Sequence, residues 1–114
     1  MAESIIIHCG KHANMFTNLI NKRFGEAPEQ MWYFPKNEYL VMITPYTDYD
    51  TEYEPSEQAE VLSKLGEAPS ISYDFEIRRS RSDEACDLLE DFIRNDLKGL
   101  SFIVDDMQRI LSQN

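Results

Sequence analysis

Apolar and polar positions alternate or recur along the chain with two periods, and each period marks an element. Ile5-Ile6-Ile7-His8-Cys9 is short, β-branched and apolar, which predicts a buried strand. Gly10 breaks it. From His12 or Ala13 to Phe24, the residues Phe16, Leu19, Ile20 and Phe24 recur at helical spacing. Lys22 and Arg23 suit the negative end of that helix, Gly25 its close, and Pro28 prevents resumption. Gln30 to Phe34 and Tyr39 to Thr44 predict an antiparallel hairpin around Pro35-Lys36-Asn37-Glu38, with Trp32 and Phe34 on one face and Met31 and Tyr33 on the other.

Pro55 and Ser56 open a second helix whose apolar side is Ala59, Leu62 and Leu65, widened by Val61, and which Gly66 ends. Ser70 to Ile77 has the clearest period of two: Ile71, Tyr73, Phe75 and Ile77 face one way, Ser72, Asp74 and Glu76 a solvated other. Ser82 caps a third helix on Ala85, Leu88, Leu89, Phe92, Ile93 and Leu97, closed by Lys98 and Gly99. Leu100 to Val104 fits a short edge strand, and Asp105 or Asp106 a cap for a final short helix bearing Ile110 and Leu111.

Gly25-Glu26-Ala27-Pro28 returns as Gly66-Glu67-Ala68-Pro69, each copy after a helix and before a strand. Duplication and convergent turn chemistry both account for it. Either way strand–helix–strand occurs twice, which is the order of a ferredoxin-like βαββαβ sandwich. The expectation is one α+β domain over 1–114, ferredoxin-like, with an extra C-terminal helix and short tail.

Charge changes this picture in one place. The net charge is −10, divided as zero over 1–44, −8 over 45–77 and −2 over 78–114. Residues 46–60 carry Asp48, Asp50, Glu52, Glu54, Glu57 and Glu60 with no Lys or Arg between, and Tyr46, Tyr49 and Tyr53 run through them. Such a field repels nucleic acid and anionic membrane and attracts basic proteins. Solubility alone accounts for the total but less well for the clustering. Tyrosine is enriched at interface centres, and carboxylates around it raise association rates with basic partners. The expected partner-binding residues are therefore Tyr46, Asp48, Tyr49, Asp50, Glu52, Tyr53 and Glu54, extended by Trp32 and Tyr33. The alternative is a solvated loop whose tyrosines cover the sheet edge.

Other chemistry is thinly supplied. His8-Cys9-x-x-His12 offers three zinc ligands of the four a structural site needs, and adjacent strand residues point apart. A Cys9–His12 pair would make a small cysteine-dependent enzyme. Neither phosphate-cradling nor nucleophile-elbow motifs occur, and Asp48-x-Asp50-x-Glu52 lacks the glycine of a calcium loop, with Tyr53 in its place. No cofactor or metal is expected. Arg78-Arg79-x-Arg81 could touch phosphate but reads as a solvated connector. The apolar runs, all far too short to span a bilayer, and two cysteines fit a soluble cytoplasmic protein with reduced thiols.

Leu65-Gly66-x-x-Pro69, the alternating strand through Ile77, the helix from Ser82, and Leu97-x-Gly99-Leu100 running into Asp105-Asp106 together resemble the immunity proteins of bacterial polymorphic-toxin and contact-dependent inhibition systems. The resemblance covers roughly residues 62–107 and carries over no individual binding residue. It implies a non-enzymatic cytoplasmic protein that neutralises a cognate toxin domain, often a basic nuclease or deaminase, by occluding it one to one. An acidic mimic of nucleic acid is the neighbouring alternative.

Overall fold

Six strands form one antiparallel sheet with helices on both faces. The computed structural model describes residues 3–27, 29–35, 38–105 and 110–112. The strands are β1 (Glu3–Cys9), β2 (Trp32–Phe34), β3 (Val41–Pro45), β4 (Ile71–Ile77), β5 (Phe102–Asp105) and β6 (Ile110–Ser112). Their order across the sheet is β2-β3-β4-β1-β5-β6. The helices are α1 (Ala13–Phe24), the single turn α2 (Tyr49–Glu52), α3 (Pro55–Leu65) and α4 (Ser82–Asp91). The α+β class is as expected.

The ferredoxin-like order is not what forms. That sandwich would set β1 between β4 and β3 with both helices on one face. Here β4 pairs with β3 on one side and β1 on the other. α1 packs Phe16, Ile20 and Phe24 on the first face, against Ile7, Ile43, Tyr73 and Phe75. α3 packs Val61 and Leu65 on the second, against Ile103. The two Gly-Glu-Ala-Pro turns thus follow helices on opposite faces. Their glycines also differ, with ψ 160° at Gly25 and −2° at Gly66.

The register explains which residues share a face. His8 opposes Ser72 on β4 and Ile103 on β5; Asp74 opposes Ile6 and Thr44; Glu76 opposes Ser4 and Met42. These lie on the second face, and their neighbours along each strand lie on the first. The first face is the main core. Trp32 belongs to it, 3% exposed, with its indole N–H on Asn21 Oδ1 at 3.1 Å.

α4 runs into a π-helical turn, Phe92–Asp96, closed by the Leu97 amide on the Phe92 carbonyl. The wider turn adds a residue, so Phe92 and Leu97 both reach the core although five apart. Arg23 at the end of α1 pairs with Asp96 at 2.8 Å and with Asp91, tying the two first-face helices together. Two tail expectations are corrected. β5 is an interior strand, since β6 pairs outside it. Ile110–Ser112 is that strand and not a helix; Asp106 lies outside the described residues.

Candidate functional site

The acidic segment folds as a clamp over the second face. After β3 the Tyr46 amide donates to the Ser72 carbonyl at 2.9 Å, extending the pairing by one residue. α2 follows, and then α3 begins at Pro55. A capping box fastens that start: Glu54 and Glu57 each accept the other's backbone N–H, the Glu54 amide at 2.9 Å from Glu57. Tyr46 precedes α2, Tyr49 opens it and Tyr53 follows it in extended conformation, and their rings gather on one side. That side is inward.

What they enclose is His8, fully buried on β1. Its ring meets Tyr46, Tyr49 and Tyr53 edge-on, with centroids 6.4, 5.6 and 5.3 Å away. A line of hydrogen bonds crosses it. His8 Nδ1 lies 2.6 Å from Ser72 Oγ and Nε2 lies 2.9 Å from the Tyr53 hydroxyl, which donates in turn to Asp105 Oδ2. Proton counting fixes the directions. Tyr53 has one proton and gives it to the carboxylate, so Nε2–H donates to Tyr53. Nδ1 then accepts from the Ser72 hydroxyl. The imidazole is neutral: burial lowers its pKa to about 4, although Asp105 pulls the other way.

The phenols are held protonated. Burial first, then the bond to Asp105, pushes Tyr53 upward; burial and the 2.6 Å bond donated to Glu52 do the same at Tyr46; burial and Asp50 raise Tyr49. Ser72 is 5% exposed. The Ser72–His8 pair has the donor geometry of a nucleophile and base, but it lies beneath the segment. Ser72 satisfies His8 Nδ1, and His8 in turn holds the Tyr53 hydroxyl and packs against Tyr46 and Tyr49.

The expected binding residues therefore separate. Asp48, Asp50, Glu52 and Glu54 are exposed. Tyr53 is buried at 7%, and Tyr46 and Tyr49 are half-buried. Trp32 is in the opposite core and leaves the surface altogether. Tyr33 is exposed, on the second face but at its far edge, three strands from His8. The expectation of a solvated Ser72–Asp74–Glu76 face is corrected as well. The clamp covers Ser72, and Asp74 is half-buried. The buried stripe of α3 is Val61 and Leu65, and Leu62 is 52% exposed.

His8, Ser72 and Asp105 were not on the sequence-derived list. One signal bore on His8, its place as a histidine inside an apolar strand; none marked Ser72 or Asp105. The Cys9 thiol faces the first core, donates to the Lys11 carbonyl at 3.3 Å, and is pushed up to about 11 by burial and then by Glu67. His12 is exposed in a left-handed conformation ahead of α1. A thiol so raised is not the activated form a cysteine enzyme uses. Among the described residues no group of His, Cys, Asp and Glu gathers in a metal-binding arrangement, and no helix is long and apolar enough to cross a membrane. Arg81 pairs with Glu38 at 2.5 Å and Glu84 at 2.6 Å, and Arg78 donates to the Glu38 carbonyl, so the basic connector is tied locally. No family model, curated protein or solved structure matches the chain.

Proposed function

We propose that the protein is an immunity-type inhibitor: a cytoplasmic protein that binds a basic toxin domain and occludes it, without chemistry of its own. The supporting observation is how the acidic segment is held. Inward tyrosines, the His8 hydrogen bonds and the capping box anchor it at several points, so Asp48, Asp50, Glu52 and Glu54 are displayed on a fixed frame. Charges held in place lose less entropy on docking than charges on a loose tail. They also steer a basic partner into position. A standard interface buries about 1,600 Å² in total, more than this segment supplies, so adjoining surface joins it.

The test is co-purification of the chain with the toxin domain encoded by the adjacent gene, followed by binding kinetics across a salt series. Charge reversal at Asp48, Asp50 and Glu54 is expected to slow association and to flatten its salt dependence. Unchanged association would remove the segment from the interface. Failure to bind any neighbouring gene product would remove the immunity reading.

A further inference from the structure

With Tyr46, Tyr49 and Tyr53 turned inward, the acidic segment offers a partner carboxylates but little aromatic surface. Aromatic surface on this side of the molecule lies elsewhere. α3 covers the β5–β6 half of the second face. Beyond the clamp over Ser72, the β2–β3–β4 half carries no helix among the described residues. Here Tyr33 is 37% and Tyr39 55% exposed, their rings edge-to-face at 5.2 Å. With Met42 and Glu76 they line a groove of about 320 Å³. Two residues along β4 toward the clamp lies Asp74. Among the described residues its buried Oδ1 has no hydrogen-bond partner, and its Oδ2 has only a long 3.4 Å contact from Ser4 Oγ. Burial raises its pKa, and the charges of Glu76 and Glu52 raise it further.

A carboxyl group withdrawn from water, short of donors and among acids is stabilised by a cation that brings N–H groups. Asp74 and Glu76 are alternate residues of one strand and so project side by side, about 7 Å apart. A guanidinium can fork between two carboxylates in a way an ammonium cannot. Met42 and Tyr33 continue the floor as apolar surface for the arginine stem. Arg78, at the far rim, donates to the Glu38 carbonyl at 2.6 Å. We infer that this open half of the sheet face, from Asp74 to Tyr33, is the docking surface for an arginine of a basic protein partner, with the guanidinium at Glu76 and the Oδ2 side of Asp74 and the stem over Met42 and Tyr33. The inference rests on the reading of the chain as a binder of a basic protein and moves the anchor from the acidic segment to the sheet beside it.

Titration of the isotope-labelled full chain with a blocked hexa-arginine peptide, followed by amide chemical shifts at low salt, tests it. Shifts are expected to concentrate at Tyr33, Met42, Asp74 and Glu76, and the hexalysine counterpart to bind more weakly. Asp74→Asn and Tyr33→Ser should each weaken hexa-arginine binding, Asp74→Asn by about ten-fold. Retained dispersion of the amide spectrum checks that each variant is folded. Asp48→Lys with Asp50→Lys should leave the site of the shifts unchanged. Shifts centred on residues 48–54 and abolished by that pair would overturn the docking surface while keeping the basic-partner reading. Absence of binding by either peptide would count against both.

Discussion

His8 has two ring nitrogens, and both are occupied by neighbours that hold it neutral. Its folded pKa, about 4, lies below the ordinary 6.5. The unfolded chain therefore takes up a proton first as the pH falls. The stability this group contributes is fully present above about 6.5 and declines as the pH drops toward 4, by on the order of 3 kcal/mol. Urea unfolding at pH 7.5, 6, 5 and 4 measures it, and the His8→Gln protein should have the flatter profile over that range. Asp74, whose pKa is raised, acts with the opposite sign, so the difference between the two proteins is the quantity to read. Tyr53→Phe removes the acceptor of His8 Nε2–H, which is expected to cost about 1–3 kcal/mol. If the hydroxyl chain seats the segment, amide exchange in 46–54 should speed up more than exchange in β1. Nothing in a one-residue reading foretold this arrangement. His8 was grouped with Cys9 and His12 by nearness along the chain, whereas its partners lie 45 and 64 residues away.

At the scale of elements, α3 is where reading the sequence and reading the packing diverge most usefully. Its amphipathic pattern admits two stripes, Ala59–Leu62 and Val61–Leu65. Only the second meets Tyr53 and Ile103. Val61→Ala, in a site of zero exposure, is expected to cost about 1–3 kcal/mol, and Leu62→Ala less than about 0.5 kcal/mol. Chemical denaturation of the two variants side by side checks this; equal losses would mean that the helix is turned the other way. Helix limits were legible because Gly25, Gly66 and Pro55 act locally, through φ and the missing N–H. The alternation of β4 was legible for the same reason. Strand order was not, since it depends on which face each helix covers. Ser72, Asp74 and Glu76 looked solvated by polarity alone, and no local rule says that three tyrosines will come to lie over Ser72. The π turn was likewise hidden: Ala85, Leu88, Leu89, Phe92, Ile93 and Leu97 read as one ordinary α-helical stripe, and nothing in that spacing marks the extra residue looped into Phe92–Asp96.

For the whole molecule, the charge and the sheet act on one side. Of the −10, eight negative charges fall net in 45–77, which builds the clamp, α3 and β4. The second face thus joins displayed carboxylates at the clamp to the groove of Tyr33, Met42 and Glu76 beside Asp74, while α1 and α4 pack on the first face. On the proposed reading, a basic partner would be turned toward the second face by the long-range field, and contact chemistry would then select the register. Steering and anchoring separate experimentally because salt screens the first more than the second. Raising ionic strength from about 0.05 to 0.5 M shortens the screening length to a few ångströms. Association with a basic partner should slow by about ten-fold or more over that range, while dissociation changes far less. Reversing Asp48, Asp50 and Glu54 should lower the association rate at low salt toward the high-salt value. Asp74→Asn and Tyr33→Ser should instead speed dissociation at both salt concentrations. Stopped-flow measurement of the two rates for the four proteins would show whether clamp and groove divide the work in this way. A salt-independent association rate would mean that the acidity serves solubility alone.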